Sequence, residues 1–154
     1  MYKHLLLPTD GSELSQASVR TGITLAREQG ARVTALYVIQ DYNSILYGVE
    51  GLMTASNEEV EKAANVLADK ALNFVADLAQ QEGVPYELVR TTSLFPYLAI
   101  TDQAKDSGCD LICMASHGRK GIRGFLIGSE TQRVLTHSTI PVLVHRSSNS
   151  DDDS

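Results

Sequence analysis

The 154-residue sequence has few cysteines, no long apolar run and no broad basic stretch, and each shortage excludes a class of protein. Its two cysteines are too few for a disulfide framework. Cys109 and Cys113 are predicted to flank a buried strand, about 13 Å apart. That separation is too large for a mutual disulfide, so we expect two small, buried, apolar side chains.

No stretch approaches the roughly 18 apolar residues that a membrane-spanning helix needs. After Met1-Tyr2-Lys3-His4 the apolar run is only three leucines long, which is too short for a signal peptide. These two observations predict a cytoplasmic protein without a membrane partner.

The net charge is −6, and three of the negative charges lie in Asp151-Asp152-Asp153. Since no basic stripe is present to neutralise a nucleic-acid backbone, DNA or RNA binding is not expected. The single basic cluster consists of Arg119, Lys120 and Arg123, a group of the size that suits one small anion.

What remains is the composition of one globular domain, with 43% hydrophobic and 21% charged residues. A chain of this length can bury a core without disulfides or metals. We expect a single α/β domain over residues 1–146, and a disordered acidic tail over residues 147–154.

Short apolar runs alternate with longer segments of helical periodicity. The runs are Leu5-Leu6-Leu7, Val33 to Ile39, Tyr86 to Val89, Leu111 to Met114 and Val142-Leu143-Val144. Four of the five lack polar alternation, as strands covered on both faces do. The pattern predicts βαβ units, and therefore a mostly parallel sheet with helices on both faces.

Four helices are predicted between these strands. The first runs from Ser12 to Gln29 before Gly30, with Asp10 as a candidate N-cap, and the last follows Gly128 and ends before Pro141. The third runs from Ser93 to Lys105, with Pro96 in its first turn. The second opens on a capping box at Ser56-Asn57-Glu58-Glu59 and ends at Gly83, and its apolar face is predicted to consist of Val60, Ala63, Leu67, Ala71, Phe74 and Leu78.

The segment Asp41 to Ala55, which contains Tyr42, Tyr47, Gly48 and Gly51, is long for a loop in a compact domain. Two interpretations stay open for it. One is a flap near the functional site, and the other is a plain disordered insertion.

Two strand ends carry turn-forming polar sequences: Pro8-Thr9-Asp10-Gly11-Ser12 and Ala115-Ser116-His117-Gly118. Ligands of open α/β sheets bind outside the carboxyl ends of strands, so these two loops are predicted to face one crevice. The second loop continues through Gly118, Gly121, Gly124 and Gly128 to a helix start at Ser129. Glycine-rich backbone and a helix N-terminus together favour phosphate, with Ser129 and Arg119 as further donors.

The segment is neither a Walker A loop nor a G-x-G-x-x-G turn. The chain instead resembles the nucleotide-binding branch of the universal stress protein family. The resemblance rests on these segments: Leu5 to Ser12, Leu36-Tyr37-Val38, Asp110 to Arg119, and Pro141 to Val144. The phosphate motif of that family, G-x2-G-x9-G-[ST], falls on Ala115, Gly118, Gly128 and Ser129, with alanine in place of the first glycine.

The resemblance implies a Rossmann-like fold of the adenine nucleotide alpha hydrolase type, with a five-stranded parallel sheet in the order 3-2-1-4-5. It also implies a homodimer joined through Pro141 to Val144 and an adenine nucleotide ligand (ATP, ADP or AMP). The residues predicted to contact the nucleotide are Pro8, Thr9, Asp10, Val38, Met114, Ala115, His117, Gly118, Arg119, Gly128, Ser129 and Glu130. Asp10 would contact ribose or a magnesium ion, Val38 would offer backbone groups to adenine, and the helix start would hold the phosphates.

Three functions are compatible with the sequence. The first is a nucleotide-binding regulatory protein of a stress response. The second is a nucleotide-free dimeric scaffold, which the methyl group of Ala115 favours. The third is a slow hydrolase built on Asp10 and a metal, but no evident residue orients an attacking water. His117 is better explained as a turn residue near phosphate, or as a structural residue, than as a general base.

Overall fold

The computed structural model describes residues 1–41, 57–118 and 127–146. Within these ranges lies one parallel sheet with the strands β1 (His4–Pro8), β2 (Arg32–Gln40), β3 (Tyr86–Ser93), β4 (Leu111–Ala115) and β5 (Val142–His145). Their spatial order is β3-β2-β1-β4-β5. The predicted strands and the predicted order are confirmed. Because the chain reverses its direction of travel across the sheet between β1 and β4, a crevice is expected at their carboxyl ends.

The sheet carries helices on both faces. They are α1 (Glu13–Gln29), α2 (Asn57–Glu82), α3 (Pro96–Ser107) and α4 (Ser129–His137). Leu5 and Leu7 pack in a cluster with residues of α1 and α2, whereas Leu6 packs with residues of α3 and α4. All three leucines are fully buried. Burial on both faces is why β1 is continuously apolar rather than alternating.

The third helix begins later than predicted. It starts at Pro96, the first helical residue, and Ser93 is instead the last residue of β3. The hydroxyl of Ser93 accepts a hydrogen bond from the amide of Phe95, at 3.1 Å, in a short turn between strand and helix. β3 thus continues past the apolar run Tyr86 to Val89 and includes Arg90, Thr91 and Thr92.

The predicted buried face of α2 is only partly right. Ala71 is buried and both Phe74 and Leu78 pack against the core, but Val60, Ala63 and Leu67 are exposed. The first buried residue of the helix is Ala68. The apolar side chains of the earlier turns line a crevice at the carboxyl ends of the strands instead of packing in the core. The capping-box residue Ser56, the segment Tyr42 to Ala55 and the tail of residues 147–154 lie outside the described residues.

Buried polar groups at the amino ends of the strands are structural. His4 is 6% exposed, and its Nε2 lies 2.7 Å from the Thr34 hydroxyl. Burial lowers the pKa of His4 and the charge of Arg32 lowers it further, against the opposing effect of Glu87 and Asp110. Cys109 and Cys113 are unpaired and buried, as predicted. Burial raises the pKa of the Cys109 thiol to about 11 and that of Cys113 to about 12.

Candidate functional site

An open crevice lies at the carboxyl ends of β1, β2 and β4, between α2 and the start of α4. Eleven of the twelve residues predicted to contact a ligand line it together: Pro8, Thr9, Asp10, Val38, Met114, Ala115, His117, Gly118, Gly128, Ser129 and Glu130. The twelfth, Arg119, lies outside the described residues, as do Lys120, Gly121, Arg123 and Gly124. Sequence reasoning therefore placed these eleven residues on one surface, and their contact with a ligand stays a prediction.

The loop after β1 is held in place by its own polar side chains. The Thr9 hydroxyl accepts a hydrogen bond from the Gly11 amide (3.2 Å) and lies 3.1 Å from the Ser15 hydroxyl. The Asp10 carboxylate accepts the Ser12 amide through Oδ1, at 2.9 Å. The N-cap of α1 is Ser12, whose hydroxyl accepts the Ser15 amide. The prediction that Asp10 caps this helix is therefore wrong, because its carboxylate accepts the amide of Ser12, which precedes the first helical residue, Glu13.

Gly118 brings the two strand-end loops into contact. A Cβ atom added at Gly118 would lie 2.5 Å from Oδ2 of Asp10, closer than real Cβ atoms approach a neighbour. The backbone here does not need positive φ, because among the described glycines that conformation is found at Gly11, Gly30, Gly83 and Gly108. Glycine at position 118 is thus explained by the close approach of the Asp10 carboxylate. The expected proximity of the two loops is confirmed.

Gly128 is also explained by a close approach. An added Cβ atom would lie 2.9 Å from Cβ and 3.1 Å from Cα of His117, and 3.3 Å from the carbonyl oxygen of Ser116. The Gly128 amide donates to that same carbonyl at 2.7 Å. These contacts press the start of α4 against the end of the β4 loop. The Gly128 amide is consequently used within the protein, so the amides at the start of α4 are those of the residues that follow it.

The start of α4 has no side-chain cap among the described residues. Its first intrahelical hydrogen bond runs from the Gln132 amide to the Gly128 carbonyl. The amides of Ser129, Glu130 and Thr131 precede that bond and are the N–H groups that a helix leaves for a capping group, water or an anion. Thr131 fixes this turn to the sheet, because its buried hydroxyl donates to the Ala115 carbonyl at 2.9 Å. Together with the helix dipole, this arrangement favours a negative ligand group.

The Glu130 carboxylate is directed elsewhere. Its Oε2 accepts the amide of Tyr97, in the first turn of α3, at 3.0 Å, and its Oε1 accepts from Arg133 at 3.0 Å. The N-cap residue of α3 is Phe95, which has no polar side chain to cap the helix itself. The predicted role of Glu130 in phosphate binding is therefore restricted to its backbone amide. Its side chain caps a neighbouring helix.

His117 lies at the edge of the crevice, with Nδ1 at 3.2 Å from the hydroxyl of Ser116. Ser116 is 4% exposed. His117 lines the crevice and Ser116 does not, so this contact positions the imidazole from the side away from the crevice. Within the described residues no group of three or more His, Cys, Asp or Glu side chains is arranged to hold a metal ion.

Sequence reasoning missed the contribution of α2 to the crevice, and from β2 it identified Val38 alone. The exposed apolar side chains of α2, Val60 and Leu67, line it, as do Tyr37 and Gln40 from β2. Arg90 of β3 lines it too, and its guanidinium bonds the Asn65 side chain at 3.0 Å and forms an ion pair with Asp69. The sequence did contain a signal for the role of α2. Its apolar periodicity begins at Val60, about two turns before Ala68, the first buried residue of the helix.

None of the helices within the described ranges combines the length and the apolar character required to cross a bilayer.

Comparison with known families gives one consistent result. The sequence model of the universal stress protein family matches residues 1–146. A universal stress protein of Methanocaldococcus jannaschii is 31% identical over 159 aligned positions, which cover 97% of this chain and 98% of that protein. The universal stress protein YxiE of Bacillus subtilis is 26% identical, with 95% and 100% coverage.

Solved structures agree with the sequence comparison. The structure of the same M. jannaschii protein superposes with a TM-score of 0.75 and 29% identity, covering 97% of this chain and 99% of that one. A universal stress protein in complex with cAMP superposes with a TM-score of 0.65 at 22% identity, covering 96% and 98%. The second likeness is one of fold.

Proposed function

This chain belongs to the universal stress protein family, and we propose that it is a regulatory member that binds an adenine nucleotide (ATP, ADP or AMP) in the crevice between β1 and β4. In this proposal the bound nucleotide biases a conformation or a partner in a stress response. Turnover is not part of the proposal, because the described crevice residues do not pair an accessible nucleophile with a base.

The observation that carries the proposal is the start of α4, which has no side-chain cap and follows directly on Gly128. At both Gly118 and Gly128 a side chain would collide with a neighbouring residue. The amides of Ser129, Glu130 and Thr131 precede the first intrahelical hydrogen bond of α4, at a place that lines the crevice. The contrast with α1 supports this assignment, since α1 begins at the same edge of the sheet but is capped by its own Ser12.

The other side of the crevice suits an adenosine group. The Leu36 carbonyl accepts the Thr9 amide at 2.9 Å and so faces β1. Backbone groups point to alternate sides along a strand, so Val38, two residues after Leu36, presents its polar groups on the side of β1 as well. Pro8 is the last residue of β1 that pairs with β2, and its partner is Leu36. The polar groups of Val38 therefore lie beyond the end of β1. Backbone groups at that place can read the edge of a purine, while Val38, Met114 and the α2 side chains Val60 and Leu67 provide apolar contact.

A nucleotide ligand is compatible with this fold, because one structure with the same fold is that of a universal stress protein in complex with cAMP. That statement concerns the other protein. For this chain, Ala115 is the feature that opposes the proposal. It is the last residue of β4 and it lines the crevice, so its methyl group takes up space that a glycine would leave to the ligand. We infer that one methyl group weakens nucleotide binding without abolishing it.

A magnesium ion fits this site only as part of the nucleotide complex. Mg²⁺ is commonly held by one or two carboxylates together with substrate phosphates and water. Asp10 is the carboxylate at the Gly118 side of the crevice, and it is the residue that would contact the ion. The ion would supply positive charge to a polyphosphate chain, and binding of AMP would not depend on it.

The proposed function is tested by thermal unfolding in the presence of AMP, ADP and ATP, with and without Mg²⁺, and with GTP as the base-specificity control. At a ligand concentration of 100 Kd the folded state gains about 2.7 kcal/mol. For a chain of this size that gain raises Tm by about 5–10 °C. A Tm unchanged by all three adenine nucleotides at millimolar concentration contradicts the proposal and favours the nucleotide-free scaffold.

We also infer a homodimer that pairs through β5, over Pro141 to Val144. Within the described residues β5 is an edge strand, and its Leu143 is 37% exposed. An apolar edge of this kind invites pairing with another chain. Sedimentation of the wild-type protein should give a dimer, and Leu143→Lys should shift it to monomer. Leu88→Lys is the matched control, since Leu88 is equally exposed on the opposite edge strand. A monomeric wild type, or equal effects of both variants, would overturn the assignment.

A further inference from the structure

Glu130 places a fixed negative charge next to the amides that the proposed function assigns to phosphate. We propose that Glu130 is a specificity-determining residue, which lowers the affinity of the crevice for nucleotides as their number of phosphate groups rises. It thereby shifts the ligand preference of this site from triphosphates toward monophosphates. The inference rests on the proposed function, and it names the ligand class for which this version of the site is adapted.

The carboxylate is held in place and cannot turn away from an incoming anion without losing two partners. One oxygen accepts the Tyr97 amide and the other accepts from Arg133, each at 3.0 Å. Tyr97 is further fixed, because its ring packs against that of His137 with centroids 5.1 Å apart. Glu130 is 36% exposed through its side chain, so its charge acts through a medium that is only partly aqueous.

The carboxylate lies close to any phosphate held by the start of α4. By covalent geometry a glutamate carboxylate is within roughly 5 Å of its own amide nitrogen. A phosphate bonded to the first-turn amides is therefore about 8 Å or less from this charge. That separation is within the Debye length of about 8–10 Å at physiological salt. Each added phosphate group therefore increases a repulsion that salt screens only in part.

Arg133 offsets part of this charge but not all of it. Arg133 is the third residue after Glu130, about one turn further into α4. Its positive charge therefore lies further from the helix start than the Glu130 carboxylate does. Its guanidinium is 53% exposed, and it also lies over the Tyr97 ring at 5.9 Å. Arg133 therefore leaves part of the Glu130 charge to act on a phosphate bound at the start of α4.

The same carboxylate removes a competing anion position. The start of α3 also lies at the crevice, where Pro96 lines it, and its N-cap residue is not polar. Because the Glu130 carboxylate already accepts the Tyr97 amide, that amide is not available to a polyphosphate chain that extends from the start of α4 toward the start of α3. Steric occupation and charge therefore act in the same direction.

The test is Glu130→Gln, which removes the charge but keeps a side-chain oxygen to accept the Tyr97 amide. Affinities for AMP, ADP and ATP are measured by calorimetry without Mg²⁺, for wild type and variant. We expect the ratio of ATP affinity to AMP affinity to rise about three- to tenfold in Glu130→Gln, with ADP between. The difference between wild type and variant should shrink when salt is raised from 50 to about 500 mM.

Two further variants make the test decisive. Glu130→Ala removes the same charge together with the contacts to Tyr97 and Arg133, and it should also raise the ratio, which tests the inference if Glu130→Gln does not fold. Glu28→Gln removes the same charge near the far end of α1, away from the crevice, and should leave the ratio unchanged. An ATP-to-AMP ratio that stays within twofold in both site variants overturns the inference. Absence of binding of all three nucleotides to wild type would instead contradict the proposed function.

Discussion

Gly128→Ala is expected to weaken adenine-nucleotide binding at least tenfold and to lower the free energy of unfolding by about 1–3 kcal/mol. The added methyl group would lie 2.9–3.3 Å from His117 and the Ser116 carbonyl, and two of those contacts are backbone atoms that cannot move alone. The start of α4 must therefore shift away from the β4 loop. Such a shift redirects the amides of Ser129, Glu130 and Thr131 from the position where we place the phosphate.

Loss of stability alone must be separated from loss of the site, and Gly30→Ala provides that control. Gly30 ends α1 with φ +65°, and an added Cβ would meet nothing within 4 Å. Its substitution costs about 1–2 kcal/mol through backbone conformation only. Chemical denaturation and calorimetry of both variants should show two destabilised proteins, of which only Gly128→Ala binds nucleotide weakly. Equal affinities in the two variants would place the phosphate elsewhere.

Gly118→Ala is expected to displace the Asp10 carboxylate and to lower the free energy of unfolding by about 1 kcal/mol, the usual contribution of one hydrogen bond. The displaced group is the acceptor of the Ser12 amide at 2.9 Å. The cost should depend on Asp10. In an Asp10→Ala background the same substitution at Gly118 should cost less than about 0.3 kcal/mol.

This double-mutant cycle is read from denaturant unfolding without any ligand, so it tests the geometry of the site independently of its function. A coupling energy of roughly 1 kcal/mol is expected between the two positions. Additive effects of the two substitutions would mean that the β1 and β4 loops are not in contact in solution.

The sheet could be predicted from the sequence because its central strands are buried on both faces. Continuous apolar runs such as Leu5-Leu6-Leu7 leave few alternatives, and glycines such as Gly30 mark helix ends by a requirement for positive φ. The order of the strands came from the resemblance to a family, since apolar runs alone do not specify which strands are neighbours.

The errors occurred where several residues competed for one role. Asp10 and Ser12 are both good helix caps, and only the three-dimensional path of the loop shows that the Ser12 hydroxyl accepts the Ser15 amide. The carboxylate of Glu130 bonds Tyr97, a residue 33 positions earlier, so its role depends on tertiary structure. The first turns of α2 have core-like periodicity, but they extend past the sheet and line a crevice instead.

The glycines of the β4–α4 segment were recognised for a reason that the structure changes. Their spacing suggested backbone freedom, whereas Gly118 and Gly128 are explained by the atoms of Asp10, His117 and Ser116 that lie against them. A sequence indicates that a side chain is absent, and only a structure shows what occupies its place.

The most direct test of the central claim is a titration of ¹⁵N-labelled protein with AMP, followed by amide chemical shifts. A phosphate on the start of α4 predicts the largest shifts at the amides of Ser129, Glu130 and Thr131, smaller ones at Gly118 and Val38, and none at His4 or Asp110 at the opposite end of the sheet. Saturating shifts confined to other elements, or no shifts at millimolar AMP, would contradict the account.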